Sequence, residues 1–426
     1  MGCARLDRLL TSVVPLAACA TVLLTSPARA ADPDQYPASV GQRFDKMNPA
    51  PVFNVEGWHV EISGSVRTGY DDNIAAAAVA PESSPEIELR GGVKAARDIG
   101  PHTLTANAAL ARIWYPDSSH NNDTEAVLGA AAALRLQPGL VLRGTASAIR
   151  GREQNELANG IVVNGVFDPY TERAEFHRLP MEAGIDYDFG HWFFGANADL
   201  GYVEFDPQVT RSGLTIDQGF RNGWETELRA RAAYEFHPSL SLFGEIAADR
   251  GRHDDPNGDD EGWRIVGGGQ LEFQHLLVGN AYAGYASKSF STGGEVDGLT
   301  FGASLNWYAD ELVSFTLDAK REFRAEQVTT LVGVTSAVPL VHDAIALRAE
   351  YEPLRQVLVF AEVGYARDDR ESVNRTDGLT KVTVGGTYVV TRDLRLNFEY
   401  EHADGTSDFA GDHERNRVSV GLTAFY

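Results

Sequence analysis

Histidine and acidic side chains are the residues of this chain that could bind a metal ion or take part in acid–base chemistry. Eleven histidines are present in 426 residues. No two of them have metal-ligand spacing at a shared strand end, and no obvious carboxylate activates any of them. They are scattered along the chain, for example at His59, His102, His177, His253, His342 and His402. We therefore interpret them as surface residues and predict no catalytic residue, no metal site and no cofactor.

A dense acidic segment, Asp254 to Glu261, offers oxygen ligands of the kind that calcium binds. Its spacing matches no known calcium loop, so a solvated loop is the default interpretation. Such a loop could also contact the cations that bridge lipopolysaccharide. No glycine-rich phosphate loop follows a strand and opens a helix, because Gly267-Gly268-Gly269 lies inside a predicted strand. These residues favour a protein that is not an enzyme.

Charged residues of both signs alternate with apolar residues over long stretches, which indicates a polar surface inside a barrel. Charges arranged around a water-filled lumen set its selectivity for ions and solutes. The alternative is that they pair and fill the interior without a conduction path, although about eighteen strands normally enclose more volume than side chains fill. The candidate pore-lining residues are Arg67, Glu86, Glu88, Arg90, Glu225, Glu227, Arg229, Arg231, Arg264, Arg395 and Glu399.

The elements that position these residues are strands, because the sequence has a period of two from Trp58 onward. Apolar or small residues alternate with polar ones over Trp58–Tyr70, Trp224–Phe236 and Leu394–Glu401. Two faces that meet different solvents produce this pattern. Strands of about 9–11 residues can cross a bilayer, whereas a soluble sandwich would here need charge-rich exposed faces and no helix. The predicted fold class is all-β, a transmembrane antiparallel up-and-down β-barrel.

Short turns and longer polar loops alternate strictly, as periplasmic turns and extracellular loops do in outer-membrane barrels. Eight turns and nine loops give eighteen strands, and this even number places both termini in the periplasm. Sixteen strands is the alternative. The apolar stretch Val328–Val341 could hide part of a strand. Pro180 implies either a strand start at Met181 or a bulge, because a closed barrel offers proline no free edge. The predicted loops lie near residues 71–84, 115–123, 151–172, 205–219, 250–262, 290–298, 324–340, 367–377 and 403–412.

The first thirty residues are typical of a secretory signal peptide. A basic region with Arg5 and Arg8 precedes an apolar stretch, and Ala28-Arg29-Ala30 has the small-x-small pattern of a cleavage site. A single membrane anchor is disfavoured because the apolar run is short. Both cysteines lie in this segment, so the mature chain has none, as suits an oxidising compartment. The segment Leu16–Cys19 also resembles a lipobox, but the apolar run continues beyond Cys19, which favours ordinary cleavage over lipidation.

The predicted organisation has three parts. Residues 1–30 are the signal peptide, residues 31–55 a periplasmic lead-in, and residues 56–426 the barrel. The lead-in is rich in proline and polar residues and shows no period, so a disordered state is open to it. Its short length disfavours a docked plug.

The overall charge excludes one class of partner. The chain has 37 Lys+Arg and 60 Asp+Glu, a formal net charge of -23. Nucleic acid is therefore not an expected partner, because clustered cations are missing. The mean hydropathy is slightly negative, unlike that of a helical membrane protein, whereas a barrel places apolar residues only at every second position.

The last strand ends on an aromatic residue. This apolar alternation resembles the C-terminal signal that the barrel-assembly machinery recognises in outer-membrane proteins, and an ordinary last strand is the alternative. The candidate assembly residues are Val418, Val420, Leu422, Ala424 and Tyr426.

The end of the first predicted strand, Thr68-Gly69-Tyr70-Asp71-Asp72-Asn73, resembles the opening motif of the putative β-barrel porin 2 family. Chain length, strand–turn layout and the terminal aromatic residue also fit, over roughly residues 56–426. The resemblance implies an outer-membrane protein of a Gram-negative bacterium, often linked to exopolysaccharide export. It implies no catalytic residues. Asp71, Asp72 and Asn73 match the motif, and either a functional role or a role in the first loop's turn is open to them.

The sequence therefore predicts an outer-membrane, porin-like channel, with a role in exporting an extracellular polysaccharide as the finer hypothesis. The alternatives are an outer-membrane enzyme that modifies lipid or glycan, and a structural or adhesive barrel without conduction. No Ser/His/Asp-type or acidic constellation is evident at one rim, which disfavours the enzyme. The expected partners are outer-membrane lipid, lipopolysaccharide, the barrel-assembly machinery and polysaccharide export proteins.

Overall fold

The computed structural model describes residues 39–153, 160–163, 166–273, 276–329, 335–370, 375–408 and 410–426. The predicted signal peptide with Cys19, and Gln274–His275, where the sequence predicts one of the short turns, lie outside these residues. Helix α1 spans Val40–Met47. The barrel strands are β1 (Trp58–Asp71), β2 (Ser84–Ile99), β3 (His102–Trp114), β4 (Asp123–Gln137), β5 (Leu140–Arg152), β6 (Glu175–Phe189), β7 (Trp192–Phe205), β8 (Gly223–His237), β9 (Leu240–His253), β10 (Asp260–Phe273), β11 (Leu277–Phe290), β12 (Glu295–Tyr308), β13 (Val313–Thr329), β14 (Thr335–Leu354), β15 (Val357–Arg370), β16 (Arg375–Thr391), β17 (Leu394–Ser407) and β18 (His413–Phe425).

Each barrel strand pairs antiparallel with the next, and the first pairs with the last. Strands β1 and β18 run in register from Ser63↔Phe425 to Asp71↔Arg417, which closes the sheet and leaves no free edge. The prediction of an eighteen-stranded barrel is confirmed, and the alternative of sixteen strands is excluded. Short strands outside the barrel wall span Phe53–Val55, Gly160–Val163, Val166–Pro169, Gln208–Val209 and Thr215–Ile216.

The two faces of the wall differ as the period of two predicts. Large apolar side chains are exposed at alternate positions, as at Leu110, Leu128 and Leu228, which are about 60% exposed. Side chains at the intervening positions, such as Glu86 and Glu88, are buried. The apolar face is therefore the outer one, and the charged face lines the interior. Among the described residues, no helix is long and apolar enough to cross a membrane.

Aromatic residues form contacts at both ends of the outer face. Near the short turns, Trp192 packs against Tyr234 with ring centroids 4.9 Å apart. At the loop ends of the same pair of strands, Tyr202 and Trp224 lie 5.1 Å apart. Amphipathic rings of this kind suit the two headgroup levels of a bilayer.

The strands extend further into the loops than the sequence predicts. The predicted loop 324–340 is wrong in its bounds, because β13 and β14 pair as far as Thr329↔Thr335. The apolar stretch Val328–Val341 thus belongs mainly to this long hairpin and not to an additional strand. The loop bounds were missed because residues 324–341 change from a mostly polar run to an apolar one, so the alternation that marks a strand is lost.

Strand β6 runs through Pro180 instead of starting after it. Pro180 pairs with Gly201 of β7. On the other side, pairing with β5 skips the position, since Met181 pairs with Ala146 and the next pair is Arg178 with Ile149. The register is the same on both sides of the gap, so the prediction of a strand start at Met181 or a bulge is wrong. Proline lacks the N–H for one ladder hydrogen bond, and one interruption is enough to accommodate it.

Candidate functional site: the charged interior of the barrel

All eleven candidate pore-lining residues lie at positions of the inner face. Their sequence neighbours point outward: exposed Val66 precedes Arg67, and exposed Ile265 follows Arg264. Strand alternation thus predicted which charged residues share the inner face. That they line a conducting pore stays a prediction.

One inner wall carries a continuous row of alternating charge. The row crosses β18, β1, β2 and β4, and neighbouring charges are close enough for direct ion pairs. The pairs are Arg417–Glu86 (2.7 Å), Arg67–Glu86 (3.0 Å), Arg67–Glu88 (2.5 Å), Arg90–Glu88 (2.8 Å) and Arg90–Glu125 (2.9 Å).

A second row lies on the wall formed by β6 to β10. Arg231 differs from the other guanidinium groups of this wall, because it stacks on the ring of Phe243 at 3.6 Å from the centroid. The ion pairs are Arg178–Glu225 (3.2 Å), Arg229–Asp199 (2.7 Å), Arg229–Glu227 (3.1 Å), Arg264–Glu227 (3.3 Å) and Arg264–Glu245 (3.1 Å).

Several inner charges were not among the predicted candidates. Lys288 pairs with Asp260 at 2.6 Å, and Arg370 pairs with Asp377 at 2.6 Å. His342 is buried and its Nδ1 lies 2.6 Å from a carboxylate oxygen of Asp368, so its interpretation as a surface residue is wrong. The sequence signal for these residues was the same alternation. Their partners depend on the register between strands, which one strand's pattern does not contain.

The interior is open to water at several charged positions. The side chains of Lys320, Glu362 and Asp199 remain 39%, 36% and 29% exposed, although all three lie on the inner face. A close-packed protein interior would leave such side chains almost no exposed surface. The charges therefore pair without filling the interior at these positions.

The first extracellular loop, residues 72–83, covers part of the extracellular mouth. Ile74 of this loop is fully buried and packs against Ile113 and Tyr115, the latter directly beyond β3. Leu110 and Leu128 mark the outer face of this part of the wall. Ile113 is three residues from Leu110 on the same strand, so the alternation of side chains places it on the inner face. The Val79 carbonyl accepts a hydrogen bond from Arg211 of a later loop at 3.1 Å. The loop is thus held on both sides.

Two further extracellular loops, residues 153–174 and 206–222, are joined to each other. Glu153 forms an ion pair with Arg221. The amide of Gln218 donates a hydrogen bond of 3.0 Å to the hydroxyl of Tyr170. Burial raises the pKa of the Tyr170 hydroxyl above its ordinary value, so this group stays neutral.

The motif Asp71-Asp72-Asn73 joins the first strand to the last beyond the end of their ladder. Asp71 is fully buried and accepts hydrogen bonds from both Nε and Nη2 of Arg415. Asp72 accepts from the backbone N–H of Asn416 at 2.6 Å and from its side-chain amide at 2.8 Å. The amide of Asn73 donates to the carbonyls of Ala77 and Glu414. The motif therefore has a structural role in the loop and the barrel closure.

Helix α1 occupies the opposite, periplasmic end. Val40 and Phe44 of the helix are fully buried against Leu358 and Val389. Val389 faces inward, because its neighbours Tyr388 and Val390 are exposed on the outer face. The helix is therefore inside the barrel, and the expectation that the lead-in is too short to dock there is wrong. It lies in the stretch for which the sequence shows no period, since two buried positions four residues apart are too few to mark one.

Arg395, a predicted pore-lining residue, contacts this helix. Its guanidinium pairs with Asp45 at 3.3 Å and donates a hydrogen bond to the carbonyl of Asn48. Glu399 lies on the same inner face of β17, between exposed Phe398 and Tyr400.

The acidic segment Asp254–Glu261 uses several of its carboxylates internally. Asp259 accepts the backbone N–H of His253 at 2.8 Å and pairs with Arg252. Asp255 accepts from the N–H of Asn257 at 3.0 Å. These contacts shape the segment. Asp259 and Asp260 are buried and Asp260 begins strand β10, so only the first part of the segment fits the interpretation as a solvated loop.

His177 lies beside two carboxylates on the extracellular rim. One ligand atom each of Glu175, His177 and Asp206 lies within 4.8 Å of the other two. Glu175 also accepts a hydrogen bond from Arg150 at 2.6 Å, which competes with any cation. Sequence spacing missed this group because Asp206 comes from the neighbouring strand end.

The predicted assembly residues lie on the outer face. Val418 and Val420 are half exposed, and Tyr426 is 77% exposed. The ring of Tyr426 lies 5.2 Å from that of Phe53. A role in recognition by the assembly machinery stays a prediction.

Comparisons with solved structures find barrels of similar fold. The copper transporter OprC has a TM-score of 0.49 and 9% identity, over 87% of this chain and 81% of that chain. OccK1 (OpdK) of Pseudomonas aeruginosa has a TM-score of 0.46 and 11% identity, over 86% and 99%. The alcaligin receptor FauA of Bordetella pertussis has a TM-score of 0.41 and 8% identity, over 86% and 76%. At these identities the likeness concerns the fold alone, and no curated protein matches the chain.

The sequence model of the family described as "Putative beta-barrel porin 2" matches residues 55–426, the whole barrel. The resemblance seen in the sequence is therefore confirmed. The porin family and the barrel fold imply an outer-membrane location in a Gram-negative bacterium. The chain belongs to the putative β-barrel porin 2 family.

Proposed function

We propose that this protein is a non-enzymatic channel of the outer membrane that gives passage to an extracellular polysaccharide. The observation that carries the channel function is the inner face. It bears rows of paired charges, and Lys320, Glu362 and Asp199 on it remain accessible to water. A lumen of this kind conducts hydrated solutes, because its charges replace part of their hydration.

The polysaccharide is supported by the character of the wall and by the family resemblance. Every large apolar side chain that the described strands expose within the membrane span lies on the outer face, as Leu299 and Ile246 do. The inner face instead offers carboxylate and guanidinium groups in rows, which can exchange hydrogen bonds with a hydroxyl-rich chain. The proposal includes export of the protein itself by its signal peptide, since the chain must pass through the periplasm to reach the outer membrane.

The test is permeation through liposomes that contain the refolded mature chain. Neutral oligosaccharides of graded length are trapped inside, and their release is measured. We expect release of short oligosaccharides and a length above which release stops. Liposomes with an unrelated, closed barrel provide the control for leakage. Folded protein that releases no sugar at any length would contradict the proposal and favour a structural barrel.

A further inference from the structure

Helix α1 begins against the barrel wall, and its first backbone N–H groups donate hydrogen bonds to side chains of the wall. The N–H of Val40 donates to Ser314 Oγ at 2.9 Å, and the N–H of Gly41 donates to Glu350 Oε2 at 2.8 Å. Ser39 provides the N-cap by accepting from the N–H of Gln42. The first turn of a helix leaves such donors unpaired and carries partial positive charge, so a carboxylate at this place stabilises it.

The apolar side of the helix approaches the wall closely. Phe44 is fully buried against Leu358 and Val389, with Tyr308 at the edge of the contact. Gly41 lies directly on Glu350, since a Cβ at this residue would be 2.7 Å from Oε1. A residue with a side chain at this position would displace either the carboxylate of Glu350 or the helix.

Polar contacts tie both ends of α1 to further strands. Arg43 pairs with Glu352 of β14 at 2.8 Å. Asp45 pairs with Arg395 of β17, and the side chain of Asn48 donates to the carbonyl of Arg355 at 3.2 Å. The helix therefore lies across the inner face from β13 to β17, at the ends of these strands that lead into the periplasmic turns.

We infer that α1 is a fixed constriction that sets the upper size of solutes at the periplasmic end of the channel. This inference rests on the proposed channel function. A helix with its side chains is about 10–12 Å across, so it takes up a substantial share of the lumen of a porin-sized barrel. Its many contacts hold it in one place, so it narrows the passage permanently.

The test compares two substitutions in the same helix. Phe44→Glu introduces a carboxylate into the buried contact, whereas Met47→Glu introduces the same group at a position that is 49% exposed. We expect Phe44→Glu to raise single-channel conductance about twofold or more, because a cross-section about 10–12 Å wide is released, and to admit larger polyethylene glycols. Met47→Glu should leave the helix docked and the polymer size limit unchanged, since the buried contact of Phe44 is kept.

Two measurements keep the outcome interpretable. Heat-modifiable migration in electrophoresis reports whether the barrel is folded. Val40→Cys, in a mature chain without other cysteines, reports by maleimide labelling whether α1 has left the wall. An undocked helix in a folded Phe44→Glu channel with unchanged conductance and polymer limit would overturn the inference and leave the channel function intact. Silence of all folded variants, including one that lacks residues 31–50, would instead contradict the channel function itself.

Discussion

At the scale of single residues, buried ion pairs join positions at opposite ends of the chain, as Asp71 and Arg415 do. Alternation placed Glu86 on the inner face, yet its guanidinium partner Arg417 is 331 residues away. Asp71 and Arg415 are a similar case, since the motif marked Asp71 but gave no sign of Arg415. Partners across the barrel closure follow from the register of β1 against β18, which only the closed sheet defines.

Asp71→Asn is expected to destabilise the barrel. Asp71 is fully buried, and the change removes the charge that Arg415 needs, so a buried guanidinium is left without its counter-ion. Breaking a buried pair in this way costs about 3–5 kcal/mol. The free energy of unfolding in guanidinium chloride measures the effect. Asp117→Asn, at an exposed position, is the control and should change it little; equal stability of the two variants would refute a structural role for the motif.

At the scale of elements, strands and their order were predictable, whereas their ends and the inner helix were not. The period of two stops being informative where strands leave the bilayer, as in β13 and β14. Helix α1 is held by contacts with Glu350 and Leu358, which are about 300 residues away in sequence. Helices this short gain most of their stability from packing, so local sequence carries little signal for them.

The turn between β4 and β5 gives a prediction at this scale. Gly139 has φ +82° and a Cβ at this residue would lie 2.2 Å from the carbonyl oxygen of Asp188, whereas Gly190 has φ +68° and open space. Gly190→Ala should cost about 1 kcal/mol for the left-handed backbone alone. Gly139→Ala should cost more, because the backbone of β6 must also move. Thermal unfolding of the two variants compares them, and an equal loss would contradict the close approach.

At the scale of the whole molecule, the barrel, its strand number and its family could be predicted because they follow from a pattern repeated along most of the chain. Because the pattern is repeated, an error at a single strand, such as the one at Pro180, does not change the predicted number of strands. What passes through the barrel could not be predicted, because selectivity depends on which inner charges stay accessible after pairing. Lys320 and Arg229 both occupy inner-face positions of the alternating pattern, yet their side chains are 39% and 10% exposed.

The mature N-terminus is a further prediction at this scale. Protein isolated from outer membranes should begin at Ala31, because cleavage follows the small-x-small pattern that ends at Ala30. Intact mass spectrometry measures this directly. A mass that corresponds to a chain starting at an acylated Cys19 would show the lipoprotein alternative instead.

The central claim, a charge-lined aqueous channel, is tested most directly by the reversal potential across a planar bilayer in a salt gradient. Lys320→Glu reverses an accessible charge on the inner face, and Arg321→Glu reverses the next residue, which is equally exposed on the outer face. We predict that Lys320→Glu raises the ratio of cation to anion permeability about two- to fivefold, since a unit charge about 4 Å from an ion in water acts with roughly 1 kcal/mol. Arg321→Glu should leave the ratio unchanged. Equal ratios in both folded variants and the unchanged protein, or no current in any of them, would contradict the account.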